Sequence, residues 1–325
     1  MSIEDIKDKD DPYVPIRFSR NYQDKPVEVR PYWIHFVEAT NFLGYGDFRM
    51  DVLGKPALTG PNGFGKTVIL KMIVAIMDLI SGKRPIVLYQ VLRDSDKEGV
   101  VQYSRLFDSF SVTTVEGREY RLVVSDFSTG LYNMLVDGEF FMEVRDTESV
   151  VPDAFEDVDP VWIPAGRIGS PASYIVKFIS MSGGNIDHEF LDKWFNWMIQ
   201  GNTDDTHTRV HRYSGIPYST ITSMKKAHSV LDSIMKWIEA RHLSHGEIEL
   251  LILLLALKSG SKLVVVDDIE VGLHVSVQVE IMRVLTCMYN EGVQVLYSTN
   301  SPSTFDGVFG YSNDLYGLFF PEKDD

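Results

Sequence analysis

The chain has 325 residues, 44% hydrophobic and 24% charged, the balance of a globular protein with room for one large α/β domain or two smaller ones. Its net charge of −15 excludes a surface that is basic throughout and binds nucleic acid everywhere. The single cysteine, Cys287, excludes an intrachain disulfide framework, fits a reducing compartment and reads as a small core residue rather than a nucleophile.

Residues 1–30 hold Pro12, Pro15 and Pro26 among charges and read as a tail or an extended edge. Met1 to Pro12 is acidic and polar, unlike the basic then apolar start of a secretory signal. Trp33 to Val37 alternates as a strand, and Thr40 to Gly46 reads as a turn before a second strand at Phe48–Leu53. Phe42 and Tyr45, beside that turn, are candidates either to stack on adenine or to join the core.

Gly60-Pro61-Asn62-Gly63-Phe64-Gly65-Lys66-Thr67 fits G-x-x-x-x-G-K-[ST], the phosphate-binding loop. Glycines at positions 60, 63 and 65 let the backbone come close enough to aim consecutive N–H groups at phosphate oxygens. Lys66 would reach the β- and γ-phosphates of ATP, and the Thr67 hydroxyl would take a place on Mg²⁺. Pro56 to Thr59 reads as a short strand before the loop. After it, Ile69, Met72, Ile73, Ile76, Met77 and Ile80 recur at helical spacing, with Gly82 as the C′ residue. Strand, glycine loop and helix N-terminus in that order make an anion site.

A run rich in β-formers follows. The segments 110–115, 118–125, 131–136 and 139–144 are separated by Glu116-Gly117, Ser128-Thr129-Gly130 and Asp137-Gly138, which predicts an antiparallel meander. An acidic loop spans 146–159. Residues 187–200 and 219–241 are predicted helices flanking a polar loop, and the aromatic-rich face of the first reads as core or as a docking patch. Between Thr206 and His245 six Lys/Arg meet two acids, net +4 against −19 elsewhere, and five of the eight histidines fall there. That stretch, 206–245, reads either as a surface for nucleic acid or an acidic partner, or as a solvated helical face. The histidines lack cysteine companions and ligand spacing, which argues against zinc.

The last third alternates helix and strand. Gly246 to Lys258 is an apolar helix stopped by Gly260, and Leu263 to Val266 is a continuous β-branched run suited to a buried parallel strand. A helix at 274–289 and a buried strand at 293–298 complete the pattern of a sheet that takes its ligand at the strands' C-terminal ends. The longest apolar run, Leu250 to Leu257, is far too short to span a bilayer, so the reading is a cytoplasmic protein without a membrane partner. Val266-Asp267-Asp268-Ile269-Glu270 has the form of a Walker B segment: Asp267 would hold Mg²⁺ opposite Thr67, and Asp268 would orient or deprotonate water.

Four segments, the phosphate loop, Leu243-Ser244-His245-Gly246-Glu247, Val266 to His274 and Tyr297-Ser298-Thr299-Asn300-Ser301-Pro302, stand in an order that resembles the ABC-type ATPase heads of the SMC/RecF/OLD kind. Trp162 to Arg167 also resembles a segment of the stand-alone, OLD-like and phage-defence members. The resemblance implies an α/β P-loop NTPase of ABC-ATPase type. Its sheet would be mainly parallel with helices on both faces, beside an antiparallel β meander and a helical subdomain. Its parts would be a tail (1–30), a nucleotide-binding lobe (31–170), a helical lid (171–245) and a Walker B and switch lobe (246–325). It implies a homodimer with ATP between two copies, Ser244 and Gly246 closing on the γ-phosphate held by the other copy's Lys66, and an effector protein in trans. Lys66, Asp268, Glu270 and Asn300 are the catalytic candidates, and Gln90 or Gln102 would link the lobes.

Three departures qualify it. Asp268 stands where the family has glutamate, and Asn300 where it has the switch histidine, which points to slow turnover. The stretch between the lobes reads as too short for coiled-coil arms, with the 187–241 helices expected in their place, and no Toprim nuclease is expected. The expected function is a slowly hydrolysing ATPase switch in phage defence or DNA maintenance. The alternatives are a nucleotide-gated scaffold that does not hydrolyse and an ATP-binding transporter subunit.

Overall fold

A computed structural model of the chain describes residues 29–53, 57–60, 63–88, 93–95, 101–103, 106–126, 129–145, 158, 160–165, 178, 245–273, 285, 289 and 292–300. Several expectations lie outside the described residues: Pro61, Asn62, Gln90, the predicted helices at 187–200 and 219–241, the basic stretch up to Ser244, and Cys287.

In chain order the elements are β1 (Ile34–Thr40), β2 (Phe48–Asp51), β3 (Ala57–Leu58), helix α1 (Lys66–Ile80), β4 (Arg93–Ser95), β5 (Val101–Tyr103), β6 (Ser109–Thr114), β7 (Glu119–Asp126), β8 (Leu131–Val136), β9 (Glu139–Val144), β10 (Val161–Ile163), helix α2 (His245–Lys258), β11 (Leu263–Val266) and β12 (Gln294–Ser298). They form an α/β fold with two principal sheets. One is antiparallel, in the order β2-β1-β6-β7-β8-β9; the other has the order β10-β11-β12-β3, and every pairing in it is parallel. A small β4–β5 ribbon stands apart.

Local chemistry explains the elements. β11, Leu-Val-Val-Val, is buried at every residue, as a parallel strand covered on both faces requires. β7 and β8 instead alternate buried and half-buried residues, the period-two pattern of a sheet with one packed face. Asp137 and Gly138, both at positive φ (51° and 85°), make the two-residue turn that sets the β8–β9 register from Val136 opposite Glu139.

Helix α1 is buried more completely than one amphipathic stripe predicts. Besides the six expected positions, Leu70, Val74, Ala75 and Leu79 are inaccessible. The reason is its place, with β10, β11 and β12 on one side and β6 and β7 on the other. Buried residues of both sheets and of α1 therefore share one hydrophobic cluster. Truncating a side chain there, such as Ile73→Ala, removes about 2–5 kcal/mol.

A polar residue joins the two sheets inside this core. Gln294, 2% exposed at the start of β12, accepts the Ile34 N–H at 2.7 Å and donates to the Ile34 carbonyl at 2.7 Å. Its amide thus gives Ile34 the pair of bonds a neighbouring strand would give. Nearby, the Tyr32 hydroxyl (2.8 Å) and the Trp33 indole N–H (3.1 Å) both donate to the Gly292 carbonyl. Trp33 also meets Tyr289 edge to face at 5.7 Å.

Replacing Gln294 by leucine keeps the bulk but leaves a buried N–H and a buried C=O unpaired, each worth roughly 1–3 kcal/mol. Gln294→Leu is expected to lower the urea midpoint by an amount equivalent to about 2–5 kcal/mol. An unchanged midpoint shows that the two sheets do not rely on this amide.

Candidate functional site

The C-terminal ends of β3, β12 and β11 lie side by side because the three strands run parallel in adjacent positions. Three of the four sequence segments reach this edge: the glycine loop after β3, the acids after β11, and Thr299-Asn300 after β12.

The described part of the glycine loop has the backbone its composition predicts. Gly60, Gly63 and Gly65 have φ of 140°, 90° and 83°. Gly65 is needed twice over. A Cβ there would lie 2.4 Å from Leu43 Cδ1 and 2.9 Å from Phe42 Cε1, and its φ is one that side-chain-bearing residues avoid. Its carbonyl accepts the first helical bond of α1, from the Ile69 N–H at 2.9 Å. The surface it packs against is itself unusual. Asn41 and Leu43 have φ of 52° and 50°, in a corner tied by Leu43 N–H to the Leu106 carbonyl at 2.7 Å. Backbone of this kind costs on the order of 1–3 kcal/mol and persists only where its surroundings enforce it.

Lys66, 6% exposed, folds back across the loop and donates to the Gly60 carbonyl at 2.6 Å. Thr67 Oγ1 donates to the Asp267 carboxylate, 3.0 Å from each oxygen, across 200 residues of sequence. Asp267 is 4% exposed. It also accepts the Ser298 hydroxyl at 2.6 Å, and its N–H donates to the Ile163 carbonyl of β10 at 2.8 Å.

Asp268 stands beside it with φ 44°. Its N–H donates to Ser298 Oγ at 2.7 Å, and its carboxylate is within 3.4 Å of both the Ser298 hydroxyl and the Asn300 amide nitrogen. Burial raises its pKa most, the Asp267 and Glu270 charges add to the rise, and Lys66 and the Ser298 hydroxyl oppose it. Glu270 Oε1 accepts the Asn300 N–H at 2.6 Å. Gly246 opens α2 against the next turn, with the place of a Cβ 3.6 Å from Leu273 Cδ2 and 3.7 Å from the Gly272 carbonyl.

The edge therefore brings together Gly60, Gly63, Gly65, Lys66, Thr67, Asp267, Asp268, Glu270 and Asn300, while Pro61, Asn62 and Ser244 lie outside the described residues. Phe64 stacks on Tyr45, ring centroids 5.6 Å apart and 4° from parallel. Phe42 is not available to a base: it is fully buried and packs on Phe48 at 5.1 Å, because the strained corner turns it inward. Gln102 pairs with Asp94 in the β4–β5 ribbon.

Ser298 was not singled out by its sequence, although it bonds to both acids. A hydroxyl closing the apolar run Val295-Leu296-Tyr297 beside a Walker B strand is the signal that points to it. Among the described residues no three His, Cys, Asp or Glu converge as a metal cage, and no helix is long and apolar enough to cross a membrane. A cation held by one hydroxyl, one carboxylate and phosphate oxygens needs no such cage, and Thr67 with Asp267 fits that donor set.

Residues 173–306 match a protein family described as "AAA domain, putative AbiEii toxin, Type IV TA system". The match takes in the Leu243–Glu247, Walker B and Tyr297–Pro302 segments and begins after the phosphate loop. No curated protein matches the chain. Similar solved structures include the SMC head domain from Thermotoga maritima, 13% identical over 85% of this chain and 92% of that one, TM-score 0.39. Another is an Smc head domain with an extended coiled coil, bound to the C-terminal domain of ScpA, from Pyrococcus furiosus, at 12%, 85%, 92% and 0.44. A third is an SmcHead bound to the C-winged helix domain of ScpA, at 15%, 85%, 92% and 0.46. At these identities and scores the likenesses carry no functional argument. With the order of its motifs, the family match makes this chain similar to the ABC-type ATPase heads of the SMC/RecF/OLD kind, and the class it supports is a P-loop ATPase.

Proposed function

We propose that the chain binds ATP with Mg²⁺ at the shared strand edge, hydrolyses it slowly, and works as a nucleotide-dependent switch. The observation that carries this reading is the contact of Thr67 with Asp267. A hydroxyl from the glycine loop and a buried carboxylate from a distant strand meet at 3.0 Å, the pairing a nucleotide-bound cation needs.

Each side chain has a distinct part. The loop N–H groups and the N-terminal end of α1 take the phosphates, and Lys66 leaves the Gly60 carbonyl to reach their outer oxygens. Thr67 and Asp267 would hold Mg²⁺, which when bound neutralises phosphate charge. Asp268 orients water and accepts its proton, a task suited to a carboxylate whose pKa is raised. The Asn300 amide contacts Asp268 and presents a donor near the γ-phosphate, but it cannot carry a proton.

Ser244 and Gly246 of a second copy would close on that phosphate, since a helix N-terminus directs N–H groups and a positive dipole at an anion. The effector in trans, and a setting in phage defence or DNA maintenance, rest on the family resemblance, including a family description that names a toxin–antitoxin system. A surface for nucleic acid within residues 206–245 belongs to the same proposal.

The second reading, a scaffold gated by nucleotide without hydrolysis, is favoured by the two departures at Asp268 and Asn300. Lys66→Ala is expected to abolish binding of a fluorescent ATP analogue and the ATP-dependent rise in solution mass. Unchanged affinity in that variant refutes the site. Phosphate release that Asp268→Ala removes rejects the scaffold, whereas binding with no release in the wild type selects it.

Asp268 also predicts a pH dependence. Its folded-state pKa is raised, so the folded protein binds this proton more tightly than the unfolded chain. Protonation therefore favours the fold, and stability is lost as pH climbs through the window between the ordinary and the raised value. In chelator-treated protein Asp268→Asn is expected to raise the melting temperature near neutral pH, with the gain vanishing below the ordinary carboxylate range. A gain equal at all pH values argues against this origin.

A further inference from the structure

Glu270 has the look of a third catalytic acid, yet its contacts point to a different use. Oε1 is committed to the Asn300 N–H at 2.6 Å. Oε2 is buried and has no hydrogen-bond partner among the described residues, and the same holds for the hydroxyl of Tyr297, whose pKa burial raises most and the Glu270 charge raises further. Oε2 is therefore closed to an attacking water, and Oε1 is occupied by the Asn300 N–H. The turn that carries Glu270 is held in turn: Ile269 N–H donates to the Ser298 carbonyl, Val271 N–H to the Asp268 carbonyl and Leu273 N–H to the Glu270 carbonyl, each at 3.0 Å.

We propose that Glu270 is a positioning residue: by gripping the Asn300 backbone it sets where the Asn300 amide stands relative to Asp268. That amide lies 3.4 Å from the Asp268 carboxylate, a long contact. A small displacement of the chain after β12 breaks it or tightens it. β12 ends at Ser298, so the ladder to β11 and β3 does not extend to Asn300. Its backbone N–H instead ends on Glu270, from the turn beyond the neighbouring strand. Asn300, in place of a histidine, has only an amide to offer, and an amide acts through geometry alone.

This inference rests on the ATPase reading, and the experiment separates the two. Phosphate release by the full chain is measured against ATP concentration in Mg²⁺ for the wild type, Glu270→Ala, Glu270→Gln, Asn300→Ala and the Glu270→Ala/Asn300→Ala double variant. Glu270→Ala is expected to lower kcat on the order of 10- to 100-fold while KM changes less than about twofold. Glu270→Gln, whose amide oxygen still accepts the Asn300 N–H, recovers most of that loss. In the Asn300→Ala background, removing Glu270 costs nothing further, because its influence passes through that side chain. Equal losses in Glu270→Gln and Glu270→Ala overturn the role in favour of a required charge, and additive losses in the double variant overturn it as well. Should Glu270→Ala fail to fold, Glu270→Gln with wild-type fold and a kcat as low as Asp268→Ala still refutes it. Absence of turnover in the wild type rejects the hydrolysis reading itself, and this role with it.

Discussion

A carboxylate taken almost entirely out of water dictates the arrangement of this strand edge. Asp267, 4% exposed, costs several kcal/mol to desolvate unless donors meet it. Thr67 and Ser298 supply hydroxyl donors, and such charge-assisted bonds contribute roughly 1.5–3 kcal/mol each. The strand order follows from the same requirement. Ser298 reaches both acids because β12 lies between β3 and β11, and the Asp267 N–H reaches β10 on the far side. A single residue thus ties the glycine loop and β12 through its carboxylate, and β10 through its backbone N–H, to one point.

The antiparallel sheet is coupled to that point by close packing. Its first corner puts Leu43 and Phe42 where only a glycine fits at position 65, immediately before Lys66. At the opposite end of β1, Gln294 holds Ile34 with two bonds. A shift of β1 relative to the parallel sheet must therefore either break buried hydrogen bonds or disturb the phosphate loop. The positive φ at Asn41 and Leu43 shows how firmly this corner is fixed, since unconstrained chain would relax it.

The legible parts of the sequence were those whose cause is local. The glycine spacing of residues 60–65, the β-branched run of β11 and the Asp137-Gly138 turn each carry their own conformational reason. The two-sided burial of α1 was not legible, because periodicity records which residues are apolar and not how many sheets surround the helix. Gln294 and Ser298 were obscured by their chemistry: a polar residue at the end of an apolar run reads as an edge, and only the fold reveals the partners, 260 residues away for Gln294 and 30 and 31 residues away for Ser298. Phe42 was ambiguous for the opposite reason, as an aromatic beside a turn suits a ligand and a core equally, and backbone strain decided it.

The electrostatics of the edge also bear on its proposed use. Asp267, Asp268 and Glu270 crowd three carboxylates near one lysine, and their mutual repulsion, added to burial, lifts the Asp268 pKa. On the proposed reading the arriving cation and phosphates change this balance in opposite directions. Positive charge beside Asp267 lowers the pKa of Asp268, while the γ-phosphate raises it again. The proton affinity of the candidate base therefore depends on which ligand charges are present, and falls once the outer phosphate has gone. Aspartate is one methylene shorter than glutamate, and the repulsion of its neighbours raises its proton affinity without restoring that reach.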